Sequence, residues 1–282
     1  MHVFIGTLST LSFLLLSSVV LLNGILAGAF LLRKNENKRA DSYFALLLFA
    51  FALTSLHHIL VLKGVYQKHP EWMFLPVYYT LSFGALLFYA VKLRLFPAYR
   101  FVASDVKHFM LPIGQFLYFL VIFLGTSPSF REAWGRKFYS PFYGGLEMAL
   151  YIATFYTYQF GAYRYIRFKI SALRKQKEGG QPLYEALVFR RMLRIMLILF
   201  WVNSAYIVVD FVMYELLRLN MHDFRGFTRF GELSFAVMAG WAGLTGLQLL
   251  MKPPYLNLSQ VVFSWIKNQL SNKKRGRKQH TT

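Results

Sequence analysis

The strongest constraint on this chain is an apolar run, Ile195–Leu217, preceded by Arg190, Arg191 and Arg194 and closed by Arg218. About 20 apolar residues, rising ~1.5 Å each, cross the hydrocarbon core of a bilayer. Inside the run, Asn203, Tyr206 and Asp210 share one helical face, at offsets of three, four and seven. An ionisable group within a span costs at least a few kcal/mol, so it normally faces protein or water rather than lipid. Asp210 therefore calls for a helix bundle around it.

Further apolar stretches supply that bundle: Leu8–Leu32, Ser42–Leu62, Trp72–Leu95, His108–Thr126, Tyr143–Tyr165 and Glu232–Met251. The composition agrees, with 56% hydrophobic and 16% charged residues among 282, where a soluble domain carries roughly a quarter charged. The first stretch has no basic segment ahead of it and is too long for a cleavable signal, so it reads as a retained span. The expected fold is an all-α membrane protein, a seven-transmembrane helix bundle over residues 1–255. Beyond Pro253-Pro254, Leu258, Val261, Val262, Trp265, Ile266 and Leu270 recur at helical spacing. Residues 256–282 thus read as a cytoplasmic amphipathic helix followed by the polybasic tail Lys273–Lys278.

A net charge of +20 then sets orientation. Lysine and arginine concentrate after the first, third and fifth spans (Arg33 to Arg39, Arg94 to Lys107, Arg167 to Arg190) and in the tail. By the positive-inside rule the N-terminus is outside and the C-terminus cytoplasmic. The lipid bilayer is the expected partner, with anionic lipids held at the tail by about 1 kcal/mol per charge. Nucleic acid is not expected, since Arg275-Gly-Arg277 without a following proline is too small a match to a minor-groove element.

Several function classes fall away. The chain has no cysteine, which excludes disulfides, thiolate metal sites and cysteine nucleophiles. The last span has no lysine at mid-membrane, Lys252 standing at its end, so a retinal Schiff base at the usual place is excluded. Gly179-Gly180 is a linker and not a phosphate loop. No Ser/His/Asp or paired-carboxylate motif stands out, and no cofactor is identifiable. The small residues Ala236, Ala239, Gly240, Ala242, Gly243 and Gly246 in the last span read as a close-packing face.

Helix rise gives the depth of the remaining polar groups. His57 and His58 lie roughly 6–8 Å below the outer interface, Glu147 ~6 Å and Asp210 ~12 Å. Tyr151 lies one turn below Glu147, and Tyr78 is at comparable depth. The outer half is therefore polar and the inner half nearly bare. Asp210, His57, His58, Glu147, Tyr206, Asn203, Tyr78 and Tyr151 form the candidate ligand-binding set. Two readings stay open: an outward-opening pocket, or a cluster whose members satisfy one another at about 1 kcal/mol per bond. Adjacent His57 and His58 point about 100° apart and cannot share one site. A metal would need one of them with Glu147 and Asp210, a mixed set lacking any recognisable spacing, so no metal site is assigned.

The stretch Asn37–Pro112 contains Leu56-His57, Gly64-Val-Tyr66, His69-Pro70, Leu75-Pro76, Phe83-Gly84 through Tyr89, Lys92, Pro97 and His108 through Pro112. It resembles the seven-transmembrane N-terminal sensor region of membrane-anchored AraC-type bacterial transcriptional regulators. Pro253-Pro254-Tyr255 is similar to that region's cytoplasmic exit, and the likeness covers about Leu8–Tyr255. Ala85 departs from the pattern, which tends to have proline there. Those regulators continue into a helix-turn-helix domain, whereas Asn257–Thr282 follows here. The resemblance implies a multi-pass protein of the bacterial cytoplasmic (inner) membrane that senses a ligand or partner from outside and signals to cytoplasmic partners. The alternative is a non-catalytic accessory subunit packed on other membrane proteins. An enzyme using Asp210, Glu147 and a histidine on a lipidic substrate ranks last, because no motif supports it.

Overall fold

Long apolar runs bounded by charged or turn residues become helices because a backbone inside a bilayer must satisfy its own hydrogen bonds. The computed structural model describes residues 2–34, 37–138, 141–176, 180–215, 217–219, 221 and 224–251. Its α-helices are α1 (His2–Leu32), α2 (Lys38–Leu62), α3 (Val65–Lys68), α4 (Ser82–Leu95) and α5 (Met110–Gly125). They continue with α6 (Pro128–Phe138), α7 (Pro141–Lys175), α8 (Gln181–Glu215) and α9 (Arg225–Leu250). Short 3-10 turns occupy Pro70–Trp72 and Ala103–Phe109. Five segments are long and apolar enough to cross a membrane: Thr7–Leu32, Lys38–Leu62, Ala103–Gly125, Pro182–Tyr214 and Gly226–Leu250. The protein is a multi-pass α-helical membrane bundle. One compact unit covers Met1–Leu247. The expected amphipathic helix and basic tail lie outside the described residues.

The side-chain pairs fix how neighbouring helices run. Phe30 meets Phe44 and Lys63 caps the Phe13 ring, so α1 and α2 are antiparallel. Phe51 stacks on Phe83 at 4.2 Å and Tyr43 on Tyr89 at 5.7 Å, which sets α4 antiparallel to α2. α4 then runs parallel to α7, with Gly84 against Phe155 and Phe88 against Gly161. Gly84 is required there, since a Cβ would stand 3.2 Å from the Thr154 carbonyl oxygen and 3.3 Å from the Phe155 Cα. α7 and α8 form an antiparallel pair: Tyr151 and Phe155 pack on Phe200, and Gln159 donates to the Leu193 carbonyl at 2.9 Å. α9 runs parallel to α1, and its small residues do pack closely. Side chains at Gly243 and Gly246 would collide with or press on Asn23 and Leu22, and on Phe44 and Leu48, respectively.

The stretch Trp72–Leu95, expected as one span, is not one helix. α4 has 14 residues, about 21 Å, which is short of the ~30 Å core. Met73–Leu81 ahead of it is non-helical. Pro76 is the local cause, because it lacks an amide hydrogen and pushes Leu75 out of the helical region. Phe74 lies in the left-handed region at φ 62°, a strained conformation for a bulky residue. α7 has 35 residues but is more polar than the five segments above.

Candidate functional site

Unwound backbone at membrane depth survives only where protein or a wet cavity satisfies it. Here neighbouring helices do so. The Tyr79 amide donates to Thr54 Oγ1 of α2 at 3.1 Å, and the Leu81 amide donates to Gln115 Oε1 of α5 at 3.1 Å. Gln115 then uses its Nε2 twice, donating to Glu147 Oε1 at 2.7 Å and to Thr80 Oγ1 at 3.2 Å. The Thr80 hydroxyl donates in turn to Glu147 at 3.2 Å. One carboxylate at the start of α7 is thereby tied to the unwound stretch and to α5.

Two other members of the expected set border this stretch. His57 Nδ1 is 3.0 Å from the Tyr66 hydroxyl, and its ring centre is 4.9 Å from that of Tyr78. His58 turns away, its ring 4.9 Å from Phe235 of α9, so the adjacent histidines serve different neighbours. One turn along α7 from Glu147, Tyr151 packs edge-on against Phe83 and Phe200. Its hydroxyl is buried and has no hydrogen-bond partner among the described residues.

The remaining members form a second cluster, between α8 and α9. Asn203 Nδ2 donates to Ser234 Oγ at 3.0 Å. Tyr206 stacks on Phe227 with centroids 4.5 Å apart, over Gly231, where any side chain would strike its ring. Asp210 is 9% exposed on the same face. Nearby on α9, Arg229 donates to both Glu232 oxygens, at 2.6 and 2.8 Å, and to Ser9 of α1 at 3.2 Å. Glu147 is bonded to α5 and the unwound stretch, while Asp210 shares the α8 face of Asn203 and Tyr206. Among the described residues no group of three or more His, Asp or Glu side chains is placed to hold a metal.

At the other end of the bundle, at or just beyond the ends of the expected spans, lies an ionic network. Arg94 lies 7% exposed between two acids: Nε donates to Glu185 Oε2 at 2.7 Å, Nη2 to Oε1 at 3.0 Å, and Nη1 to Asp41. This joins α4, α8 and α2. Beside it Asp105 accepts from the Tyr89 and Tyr99 hydroxyls, both at 2.6 Å, and from the Val102 amide at 2.9 Å. Lys92 stands 3.9 Å from the same carboxylate and 3.5 Å over the Tyr99 ring. Hydrogen bonding to Asp105, before any effect of burial, pushes the Tyr99 phenol up to about 12. Sequence reading placed Arg94 among loop cations. The signal it passed over was acids at Asp41, Asp105 and Glu185 flanking apolar runs.

Compared with protein-family models, curated proteins and solved structures, the chain matches none, so its assignment rests on the helices and clusters described above.

Proposed function

We propose that the chain is a sensor- or receptor-like protein of a bacterial inner membrane, similar to the sensor region of AraC-type regulators. It crosses the bilayer seven times with its N-terminus outside. The alternation of helix directions supports the seven passages, with α4 and its unwound lead as the third and α7 as the fifth, and the Lys and Arg distribution supports the outside N-terminus. The Glu147 cluster is then the outer site and the Arg94 cluster is cytoplasmic.

The observation that carries the reading is the buried, unpartnered Tyr151 hydroxyl one turn from Glu147. An unsatisfied buried hydroxyl costs about 1–3 kcal/mol. A ligand polar group entering past the unwound stretch would satisfy it. α7 then offers a mechanical path, since its 35 residues rise about 52 Å from end to end, of which roughly 42 Å separates Glu147 from the cytoplasmic end. Signalling requires a two-state bundle whose equilibrium the ligand biases.

A second reading has its own support. Glu147, Asn203 and His57 are already hydrogen-bonded within the protein, as befits a cluster that fixes packing in an accessory subunit. Purification in mild detergent from native membrane, with mass spectrometry of all that accompanies the chain, separates the two. A discrete small molecule, lost on Tyr151→Phe, Glu147→Gln or Asp210→Asn, supports the sensor. Partner proteins in fixed ratio that survive those substitutions make it a subunit.

A further inference from the structure

A cavity of about 400 Å³ lies between the C-terminal part of α7 and the start of α8, lined by Arg167, Ile170, Ser171, Arg174, Lys175 and Arg190. Arg167, Ser171 and Arg174 recur at helical offsets of four and seven along one face of α7, while Arg190 reaches in from α8. The wall therefore carries four cations and a hydroxyl, with no carboxylate among its described lining residues. Like charges gathered around one space repel unless an anion joins them. The nearest acid of α8, Glu185, is committed to Arg94 by two bonds. Tyr163 engages Arg190 by a hydrogen bond, yet the Arg190 Nε is buried and has no acceptor among the described residues.

We propose that this cavity binds a phosphate group, and that the phosphate is carried by the headgroup of an anionic membrane phospholipid. Arginine guanidinium groups and a hydroxyl suit phosphate oxygens, which accept several charge-assisted hydrogen bonds at once. The surface beside the cavity favours the lipid over a free anion. Phe168, next to Arg167, is 66% exposed, and Leu187 is 40% exposed one turn before Arg190. Apolar surface thus continues to the level of the two innermost cations. Acyl chains can lie against it while the headgroup reaches inward, as basic pockets between spanning helices allow.

Native mass spectrometry of the full chain, titrated with phosphatidylglycerol, phosphatidylcholine or inorganic phosphate, tests this. The expected result is one phosphatidylglycerol retained in strong preference to phosphatidylcholine. Arg174→Gln with Lys175→Gln, both at exposed positions, should weaken it about 30-fold, from roughly tenfold or less per cation. Those substitutions leave the basic tail intact, so the loss reports the cavity. Equal retention of both lipids, or undiminished phosphatidylglycerol in the double variant, overturns the proposal. Inorganic phosphate binding in a cavity-dependent way, with no lipid preference, overturns the lipid source and leaves a soluble phosphate compound. Arg190→Gln should weaken retention as well; if it fails to fold, the Arg174 and Lys175 variant still decides the matter.

Discussion

Arg94 grips Glu185 in a fork, with Nε to Oε2 at 2.7 Å and Nη2 to Oε1 at 3.0 Å, while its third donor reaches Asp41. Removing one partner of a buried ionic group strands the others and costs about 3–5 kcal/mol. Arg94→Met should therefore unfold the bundle far more readily than Asp41→Asn, which leaves the fork intact. Thermal unfolding in detergent gives both values. Equal and small effects would mean that water already screens the network.

Gln115 is a second linchpin, satisfying the Leu81 amide while donating to Glu147 and Thr80. Gln115→Leu removes all of these bonds at nearly constant size and should cost about 1–3 kcal/mol per group left buried without a partner. Hydrogen exchange should localise the loss to Met73–Leu81. Exchange that rises uniformly through the bundle would place the weakness elsewhere.

Which of these features could be read in one dimension follows from how far apart the partners lie. Apolar runs are local, so α1, α2 and α9 hold the expected stretches and the small residues of α9 pack as their spacing implies, whereas α8 already begins at Gln181, well ahead of the expected Ile195, in residues read as a basic loop. Pro76 is likewise local and hints at the break before α4, but a continuous apolar pattern through Trp72–Leu95 concealed it. The Arg94 network was illegible because its partners are 53 and 91 residues away. Counted along the chain, Arg94 is one more basic residue; folded, it is neutralised. Helical depth placed Glu147 in the expected set, but its partners Gln115 and Thr80 lie 32 and 67 residues away along the chain and were equally illegible.

Gly84 permits the approach of α4 to α7, where the obstacles to a Cβ include the backbone at Thr154 and Phe155. Gly84→Ala must push the two helices apart by a few tenths of an ångström, and overpacking of this kind costs about 1–3 kcal/mol. The same change at Gly114, where nothing lies within 4 Å of the added carbon, should be neutral or slightly stabilising. Parallel melts of the two variants check the contrast.

Tyr99 gives a pH signature outside the spans. Its phenol donates to Asp105, so the neutral form is favoured in the fold and the group titrates at about 12 rather than 10.0. The unfolded chain loses this proton first. The stability it supplies is whole below the unfolded value and disappears as the pH rises through the folded one. Tyrosinate absorbance of the folded protein should lose a component near 12 on Tyr99→Phe. The variant's stability should then fall less steeply than the parent's across that interval. A component that persists in Tyr99→Phe would assign the late titration to another tyrosine.

Tyr151→Phe separates the two readings of the Glu147 cluster most directly. Without a ligand the buried hydroxyl has no partner among the described residues, so its removal should leave stability unchanged or raise it by about 1 kcal/mol. Packing against Phe83 and Phe200 is retained, because only the oxygen is lost. If the sensor reading holds, protein purified with a bound small molecule should behave oppositely, with Tyr151→Phe lowering both occupancy and melting temperature. The sign of the change in melting temperature, measured before and after exhaustive dialysis, reads out whether that hydroxyl serves a ligand. A loss of stability that dialysis does not alter would give the hydroxyl a structural partner and remove the support it lends to a binding site.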